Sequence, residues 1–212
     1  MRAVVAEMLD TLRRGGIHDP RVLAAMAAVR RERFVPGPLR GEAYADRALA
    51  IECGQTISQP LMVAAVAQAL EIADGDRVLD VGTGSGYQAA VLAACGGRVF
   101  GIERVPQLAE AARARLAEAG FDVAVHVGDG SAGLAAEAPF DAIAVAATAP
   151  RLPAALPRQL REGGRLVIPL HLEGDEMDRL TLLTVVGGRW RTEDLGPCRF
   201  VPLIGADAYP AT

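Results

Sequence analysis

Val78-Leu-Asp-Val-Gly-Thr-Gly-Ser-Gly-Tyr87 is the stretch that decides the fold of this chain. An apolar strand, residues 77–81, runs into a turn with a glycine at every second position and then into an alanine-rich helix. Strand, glycine turn and helix in this order form the ligand-cradling unit of doubly wound α/β folds. Glycine lets the backbone approach a ligand closely, and the helix N-terminus presents free N–H groups to it. The stretch therefore predicts a ligand site at the end of this strand.

The sequence that follows alternates between strand and helix patterns. We predict strands over residues 77–81, 98–103, 122–127, 140–146 and 164–169, and helices over residues 86–95, 106–119 and 153–161. Such alternation is typical of a parallel sheet with helices on both faces. Ligands bind these sheets at the carboxyl ends of the strands, so site residues are expected just after the predicted strands.

Two regions of different pattern flank this core. Before it, amphipathic helices are predicted over residues 2–13, from Pro20 onward and over residues 62–70. After Pro169, the pattern becomes all β, with strands over residues 179–186 and 189–191 around a Gly187-Gly188 turn and a last strand near residues 200–203. These strands predict an antiparallel addition at the sheet edge.

The expected organisation is one domain over residues 1–212, with 51% hydrophobic residues to build its core. Residues 1–75 hold the N-terminal helices and a polar loop, residues 76–170 the α/β core, and residues 171–212 the β hairpin region. The predicted fold class is α/β, with a doubly wound, mostly parallel sheet, an N-terminal helical subregion and a C-terminal antiparallel β addition.

Charge, apolar runs and cysteine spacing disfavour a nucleic-acid partner, a membrane span and a metal site. The net charge is −4 and no basic run occurs, which disfavours a nucleic-acid-binding surface. No apolar run approaches membrane-spanning length, and acids occur too early in the N-terminus for a signal peptide. Cys53, Cys95 and Cys198 lack the spacing of metal ligands, which favours reduced thiols and no metal site. We expect a cytoplasmic monomer without a membrane or nucleic-acid partner.

Three acids at strand ends indicate which ligand the glycine turn binds. Asp80 lies just before the turn, where a carboxylate opposes a pyrophosphate but accepts hydrogen bonds from an amino group. Glu103 ends the second strand, where it can bind both ribose hydroxyls, and Asp129 follows the third strand, close to the expected adenine. S-adenosylmethionine has an ammonium and a sulfonium group but no phosphate. The acids therefore predict an S-adenosylmethionine site, with NAD as the alternative.

The methyl acceptor is indicated mainly by elimination. After the fourth strand, residues 140–150 contain no Asn/Asp-Pro-Pro-aromatic tetrad and no acidic cluster. Methylation of an amide or nucleobase nitrogen and magnesium-assisted chemistry are therefore disfavoured. A carboxylate needs neither base nor metal, since it is ionised at neutral pH. Small hydroxyls could orient it, and Gly54-Gln-Thr-Ile-Ser-Gln-Pro60 supplies Thr56 and Ser58. The alternative is that these two residues cap the helix that follows.

Several motifs in order along nearly the whole chain resemble those of protein-L-isoaspartate O-methyltransferases. The resemblance rests on Arg33-Phe-Val-Pro36, Tyr44-Ala-Asp-Arg-Ala48, Gly54-Gln-Thr-Ile-Ser-Gln-Pro60, Val78 to Gln88, Ile102-Glu-Arg104, Gly128-Asp-Gly130, Pro139-Phe-Asp141 and Gly163-Gly-Arg-Leu-Val-Ile-Pro169. Gln-Thr-Ile-Ser is specific to that family, whereas the glycine turn is shared by methyltransferases generally. The resemblance implies a Rossmann-like class I S-adenosylmethionine-dependent fold.

The resemblance also implies an activity and a set of site residues. The activity is methylation of the α-carboxyl of isoaspartyl residues in aged proteins, releasing S-adenosylhomocysteine, after which the ester closes to a succinimide that partly reopens to aspartate. Ser58 matches the active-site serine. The matching cofactor residues are Gln55, Thr56, Ile57, Asp80, Gly82, Gly84, Glu103, Asp129 and Gly130, and Ser58 with the neighbouring Thr83, Ser85 and Arg104 completes the predicted cofactor set.

The chain departs from the family pattern on the acceptor side. Val145-Ala-Ala-Thr148 stands where Val-Thr-Ala-Ala is frequent, Leu61 stands where an aromatic is common, and the residues after Pro169 replace a glycine-rich turn. Two other functions stay open at this level. One is a related methyltransferase that acts on an aspartate of a dedicated peptide, and the other is a non-catalytic sensor of S-adenosylmethionine or NAD.

Overall fold

The computed structural model describes residues 2–174 and 176–210. Its N-terminal region contains helices α1 (Arg2–Arg14), α2 (Pro20–Ala28) and α3 (Pro60–Leu70), with two short strands, β1 (Leu49–Ala50) and β2 (Thr56–Ile57), between α2 and α3. Asp19 caps α2 as the Asp-Pro start predicts, because its carboxylate accepts hydrogen bonds from the amides of Arg21 and Val22. The three helices lie close to the ranges predicted for them.

A seven-stranded sheet forms the rest of the structure. Its strands are β3 (Arg77–Val81), β4 (Arg98–Glu103), β5 (Ala124–Val127), β6 (Phe140–Val145), β7 (Leu160–Leu170), β8 (Asp178–Val186) and β9 (Arg189–Cys198), in the order β5-β4-β3-β6-β7-β8-β9. The first five in this order are parallel, and β8 and β9 extend the edge antiparallel. Helices α4 (Tyr87–Ala94), α5 (Pro106–Ala119) and α6 (Ala155–Arg158) connect the parallel strands. The predicted α/β fold class is confirmed.

Alternate residues of the central strand β3 enter two separate hydrophobic clusters. Val78 packs with the N-terminal helices, α4 and α5, whereas Leu79 and Val81 pack with α6 and the opposite face. The strand is thus buried on both sides, which accounts for its nearly continuous apolar sequence. Among the described residues, no helix has both the length and the apolar character needed to cross a membrane.

The helix predicted over residues 153–161 is wrong in extent. Only Ala155–Arg158 is helical, and Leu160 already begins β7 by pairing with Phe140. Pro157 lies inside this region and has no N–H to extend a helix, while Leu160 is only 9% exposed in its sheet position. Residue 160 is therefore more stable buried in the sheet than in an extension of the helix.

The last two predicted strands also differ from the structure. β9 is far longer than residues 189–191, because it pairs with β8 over nearly its whole length. Residues 200–203 form only an isolated bridge, in which Thr148 donates to the Val201 carbonyl at 2.8 Å and accepts from the Leu203 amide at 2.7 Å. Pro202 between them has no N–H, so no longer ladder forms there.

Candidate active site

A cleft opens at the carboxyl ends of β3, β4 and β6, where the parallel sheet predicts ligand binding. It holds about 860 Å³ of space, its open mouth included. One wall is the loop of residues 55–58, and the opposite wall is the glycine turn with the end of β4. The predicted site residues that line this cleft are Gln55, Thr56, Ile57, Ser58, Gly82, Thr83, Gly84, Ser85, Glu103, Arg104 and Gly130.

The glycine turn has a backbone that only glycine adopts readily. Gly82, Gly84 and Gly86 have φ angles of 78°, 52° and 90°. The turn is tied to its neighbours, since the Gly82 amide donates to the Ile102 carbonyl at 2.9 Å. Ser85 then accepts a hydrogen bond from the Tyr87 amide at 3.2 Å, in the first turn of α4. These hydrogen bonds hold the glycine turn in place as a wall of the cleft.

Glu103, at the end of the neighbouring strand β4, is held against this turn by hydrogen bonds. One carboxylate oxygen accepts from the Gly84 amide and the other from the Val105 amide, each at 2.9 Å. The side chain is only 7% exposed, yet it lines the cleft. Each oxygen keeps a second lone pair, so the fixed carboxylate can still accept hydrogen bonds from a pair of hydroxyl groups.

Asp80 is fully buried, with 0% exposure, and does not line the cleft itself. Its Oδ1 accepts from Gln88 Nε2 at 2.8 Å, and Gln88 is part of the cleft wall. Among the described residues, its Oδ2 has no hydrogen-bond partner. Burial raises the pKa of Asp80 to about 6, although hydrogen bonds from Gln88 and Thr83 oppose the shift, and the charge of Glu103 adds to it.

The chemistry of this donor set fits S-adenosylmethionine better than a dinucleotide. Asp80 does not reach the cleft surface, but its buried carboxylate, with one oxygen unpartnered among the described residues, favours positive charge in the cleft beside it, and an ammonium group supplies that charge. The same negative charge next to the glycine turn opposes a pyrophosphate. The residues present therefore fit a cofactor that carries positive charge at this end and hydroxyl groups near Glu103.

Ser58 faces the cleft from the opposite wall and is partly buried. In the part of the chain that the structure describes, no hydrogen-bond partner of its hydroxyl is found. The alternative that Thr56 and Ser58 cap α3 is wrong, because the cap residue is Gln59 and its side chain makes no capping bond. Asp46 caps this helix instead, accepting from the Leu61 amide at 2.9 Å and from Gln59 Nε2 at 3.3 Å.

Asp129 lies in an adjoining hollow and not in the main cleft. Arg104 and Ile204 line both spaces, so the two are neighbours. The Asp129 carboxylate accepts from the Ser131 amide at 2.8 Å, from Ser131 Oγ at 2.7 Å and from the Ala206 amide at 2.7 Å. Burial acts to raise the pKa of Asp129, but these hydrogen bonds outweigh it and hold the pKa below its usual value. Asp129 thus anchors the segment around Ala206 as well as facing the hollow.

Sequence reasoning missed the third wall of the cleft, which consists of Val201, Pro202, Leu203 and Ile204. No local pattern marks these residues, since their placement depends on the two backbone hydrogen bonds with Thr148. Ala146 and Ala147, also in the lining, could have been found from the rule that sites form at the ends of parallel strands, because they directly follow β6.

Comparison with known proteins agrees with this geometry. The family model described as protein-L-isoaspartate(D-aspartate) O-methyltransferase (PCMT) matches residues 3–208. Among curated proteins, a Koribacter versatilis protein-L-isoaspartate O-methyltransferase is 51% identical, with 96% of this chain and 92% of that protein covered. One from Methylorubrum populi is 53% identical, with 95% of each chain covered.

Solved structures agree with the sequence relatives. A protein-L-isoaspartate O-methyltransferase superposes with a TM-score of 0.85 at 27% identity, covering 96% of this chain and 67% of that one. A Plasmodium falciparum protein solved in complex with S-adenosyl-L-homocysteine superposes with a TM-score of 0.79 at 29% identity, covering 93% of this chain and 97% of that one. The chain belongs to the protein-L-isoaspartate(D-aspartate) O-methyltransferase family.

Proposed function

We propose that this protein transfers the methyl group of S-adenosylmethionine to the free carboxyl of isoaspartyl residues in damaged proteins or peptides. The observation that carries the proposal is the position of Ser58, whose unpartnered hydroxyl faces the cleft opposite the glycine turn and Glu103. The relatives that match nearly the whole chain carry the same activity in their names.

Different residues of the chain would bind different parts of the cofactor. Glu103 would hold the ribose hydroxyls, because both of its oxygens are fixed by backbone amides and keep free lone pairs. Asp80 and Gln88, with the turn of Gly82 and Gly84, would hold the methionine end. Asp129 and Gly130 would border the adenine. When bound, the cofactor supplies a methyl group activated by the positive charge of its sulfonium.

The acceptor side needs no general base. A carboxylate is already ionised at neutral pH, so the protein must bind it, orient it and exclude water. The Ser58 hydroxyl can donate one hydrogen bond to the carboxylate and fix the oxygen that attacks. Asp46 caps α3, which begins two residues after Ser58. The serine hydroxyl is therefore not needed as a helix cap and can bind the acceptor. Removal of water strengthens the attraction between the carboxylate and the positively charged cofactor.

The cellular setting is part of the same proposal. We propose a cytoplasmic enzyme, because the three cysteines are unpaired thiols, with Cys95 and Cys198 buried. We propose that it acts as a monomer, as expected for a chain of 212 residues with one core, and without nucleic acid, because the net charge is −4 and no basic run occurs. The methyl ester formed on an isoaspartyl residue then closes to a succinimide, which partly reopens to aspartate.

A paired-peptide assay tests the proposed activity. The protein is incubated with methyl-labelled S-adenosylmethionine and with two peptides that differ only in Asp against isoAsp. Base-labile label on the isoAsp peptide alone supports the proposal. Equal label on both peptides points to a methyltransferase for ordinary aspartate, and cofactor binding without any label points to a sensor; either result overturns it.

A further inference from the structure

A short hairpin, residues 49–57, lies over the glycine turn, and we call it the cover hairpin. Its strands pair Leu49 with Ile57 and Ala50 with Thr56, and its second strand continues into Ser58. The Ile51 side chain lies over the turn, with its Cδ1 3.7 Å from the point where a Cβ on Gly84 would be. Residues 55–57 of the cover hairpin line the cleft, so the hairpin borders the place where the cofactor is proposed to bind.

Helix α5 also packs against this turn. A Cβ added to Gly86 would meet Leu116 Cγ at 3.1 Å and the Ala112 carbonyl at 3.5 Å, so the turn packs directly on this part of the helix. Arg115 belongs to the same helical turn and forms an ion pair with Glu52 at the tip of the cover hairpin. The tip of the hairpin is thus joined by an ion pair to the helix that packs against the glycine turn.

Leu49, Ile51 and Ile57 anchor the strands of the cover hairpin in the hydrophobic core, whereas its tip, residues 52–54, is exposed. The ladder between the two strands has only two residue pairs. The tip contains two left-handed residues, Cys53 with a φ of 58° and Gly54 with a φ of 69°. The Glu52 side chain is 45% exposed and the Arg115 side chain 17% exposed, so the pair can open to solvent on one side. The strength of the pair will therefore depend on the salt concentration.

We propose that the ion pair between Glu52 and Arg115 is a latch that holds the cover hairpin closed over the cofactor. The inference rests on the proposed function, because it takes S-adenosylmethionine and S-adenosylhomocysteine as the bound molecules. Glu52 and Arg115 are positioning residues, since they act through the hairpin and do not face the cleft. Opening the latch lets the cofactor leave, so the pair sets the dissociation rate without taking part in methyl transfer.

The dissociation rate of S-adenosylhomocysteine from the full chain, followed by stopped-flow, tests the latch. Glu52→Gln and Arg115→Met should each release the product about 2- to 5-fold faster, the range for a partly exposed ion pair. The Michaelis constant for the cofactor should rise while kcat at saturating cofactor does not fall. The charge-reversed double variant, Glu52→Arg with Arg115→Glu, should restore slow release. Asp10→Asn, which breaks the exposed Asp10–Arg13 pair on α1, is the control and should change nothing.

A second measurement needs no variant. Release from the natural protein should become faster as salt rises, and this dependence should be flatter in Glu52→Gln, since salt screens a partly exposed pair. Equal release rates in the natural protein and both single variants overturn the latch, as does a double variant as fast as the singles. If the natural protein binds no S-adenosylhomocysteine, the proposed function itself fails, and that outcome is distinct from equal release rates.

Discussion

The carboxylate of Asp46 accepts a hydrogen bond from the Leu61 amide at 2.9 Å and so caps helix α3 from a separate loop. It also accepts from Gln59 Nε2 at 3.3 Å. The residue just before Gln59 is Ser58, so this contact fixes the backbone that presents the serine hydroxyl to the cleft. A residue outside the cleft therefore helps to position Ser58.

Replacing this cap should affect both stability and turnover. We expect Asp46→Ala to lower the free energy of unfolding by about 1 kcal/mol, the usual cost of losing a cap, and to lower kcat because Ser58 is less firmly held. Urea unfolding and steady-state kinetics measure the two effects. Asp10→Ala, which removes an exposed carboxylate on α1, is the control. Unchanged stability in Asp46→Ala would show that the contact does not cap the helix.

Removing the serine hydroxyl should separate catalysis from cofactor binding. Ser58→Ala should lower kcat on an isoAsp peptide at least 10-fold, about 1.4 kcal/mol of transition-state stabilisation, and leave the affinity for S-adenosylhomocysteine nearly unchanged. Calorimetric titration measures the affinity. Thr11→Ala removes a hydroxyl that bonds only within α1 and should alter neither quantity. Equal losses in kcat and affinity would mean that Ser58 acts mainly as part of the hairpin that covers the cofactor.

The raised pKa of Asp80 predicts a pH dependence of stability in the absence of cofactor. Its folded pKa, about 6, lies above its usual value of 3.8, so the folded protein binds a proton that the unfolded chain has lost. Below about pH 4 Asp80 is protonated in both the folded and the unfolded state, and it does not lower the free energy of unfolding. Above about pH 6 it is ionised in both states, and the full cost of burying the charge lowers the free energy of unfolding. The cost amounts to about 3 kcal/mol.

Asp80→Asn removes this ionisation and isolates its effect. The difference in unfolding free energy between Asp80→Asn and the natural protein should therefore grow in favour of the variant between about pH 4 and pH 7. Urea unfolding at several pH values measures it, and groups common to both proteins cancel in the difference. A pH-independent difference contradicts the prediction. In the same variant, the affinity for S-adenosylhomocysteine should fall, because the negative charge beside the ammonium group is removed.

The hydrogen bonds of Glu103 predict a loss of cofactor affinity when its carboxylate is replaced by an amide. In Glu103→Gln one carboxylate oxygen becomes an amide NH₂, which cannot accept from the Gly84 or Val105 amide. We expect at least 10-fold weaker binding of S-adenosylhomocysteine, about 1.4 kcal/mol, by calorimetric titration. Glu110→Gln, an exposed neighbour on α5, serves as the control. Unchanged affinity would place the ribose hydroxyls elsewhere.

Local sequence signals sufficed where one interaction dominates. The helix Pro106–Ala119 and the strand Arg98–Glu103 have the predicted ends, since proline at N1 and a glycine after the last turn fix the helix and near-continuous burial fixes the strand. The glycine turn and Glu103 also lie together as expected, because they end adjacent parallel strands.

Long-range contacts were not predictable from local pattern. Leu160 joins the sheet because Phe140 pairs with it, and Val201 reaches the cleft because Thr148 binds its carbonyl. Asp46 could not be recognised as a cap, since its partner is fifteen residues away in the sequence. In each case the deciding partner lies outside any window that a helix or strand pattern covers.

The walls of the cleft have a consequence for how the chain folds. Residues 55–58 and residues 201–204 face the same cleft although almost the whole sheet separates them in the sequence. Contacts between such distant segments form late, since the loop between them must close first. Any partly unfolded form that releases either segment loses the cleft and with it the bound ligand. Cofactor binding should therefore slow amide hydrogen exchange throughout the sheet by raising the cost of global opening, and not merely protect the amides beside it.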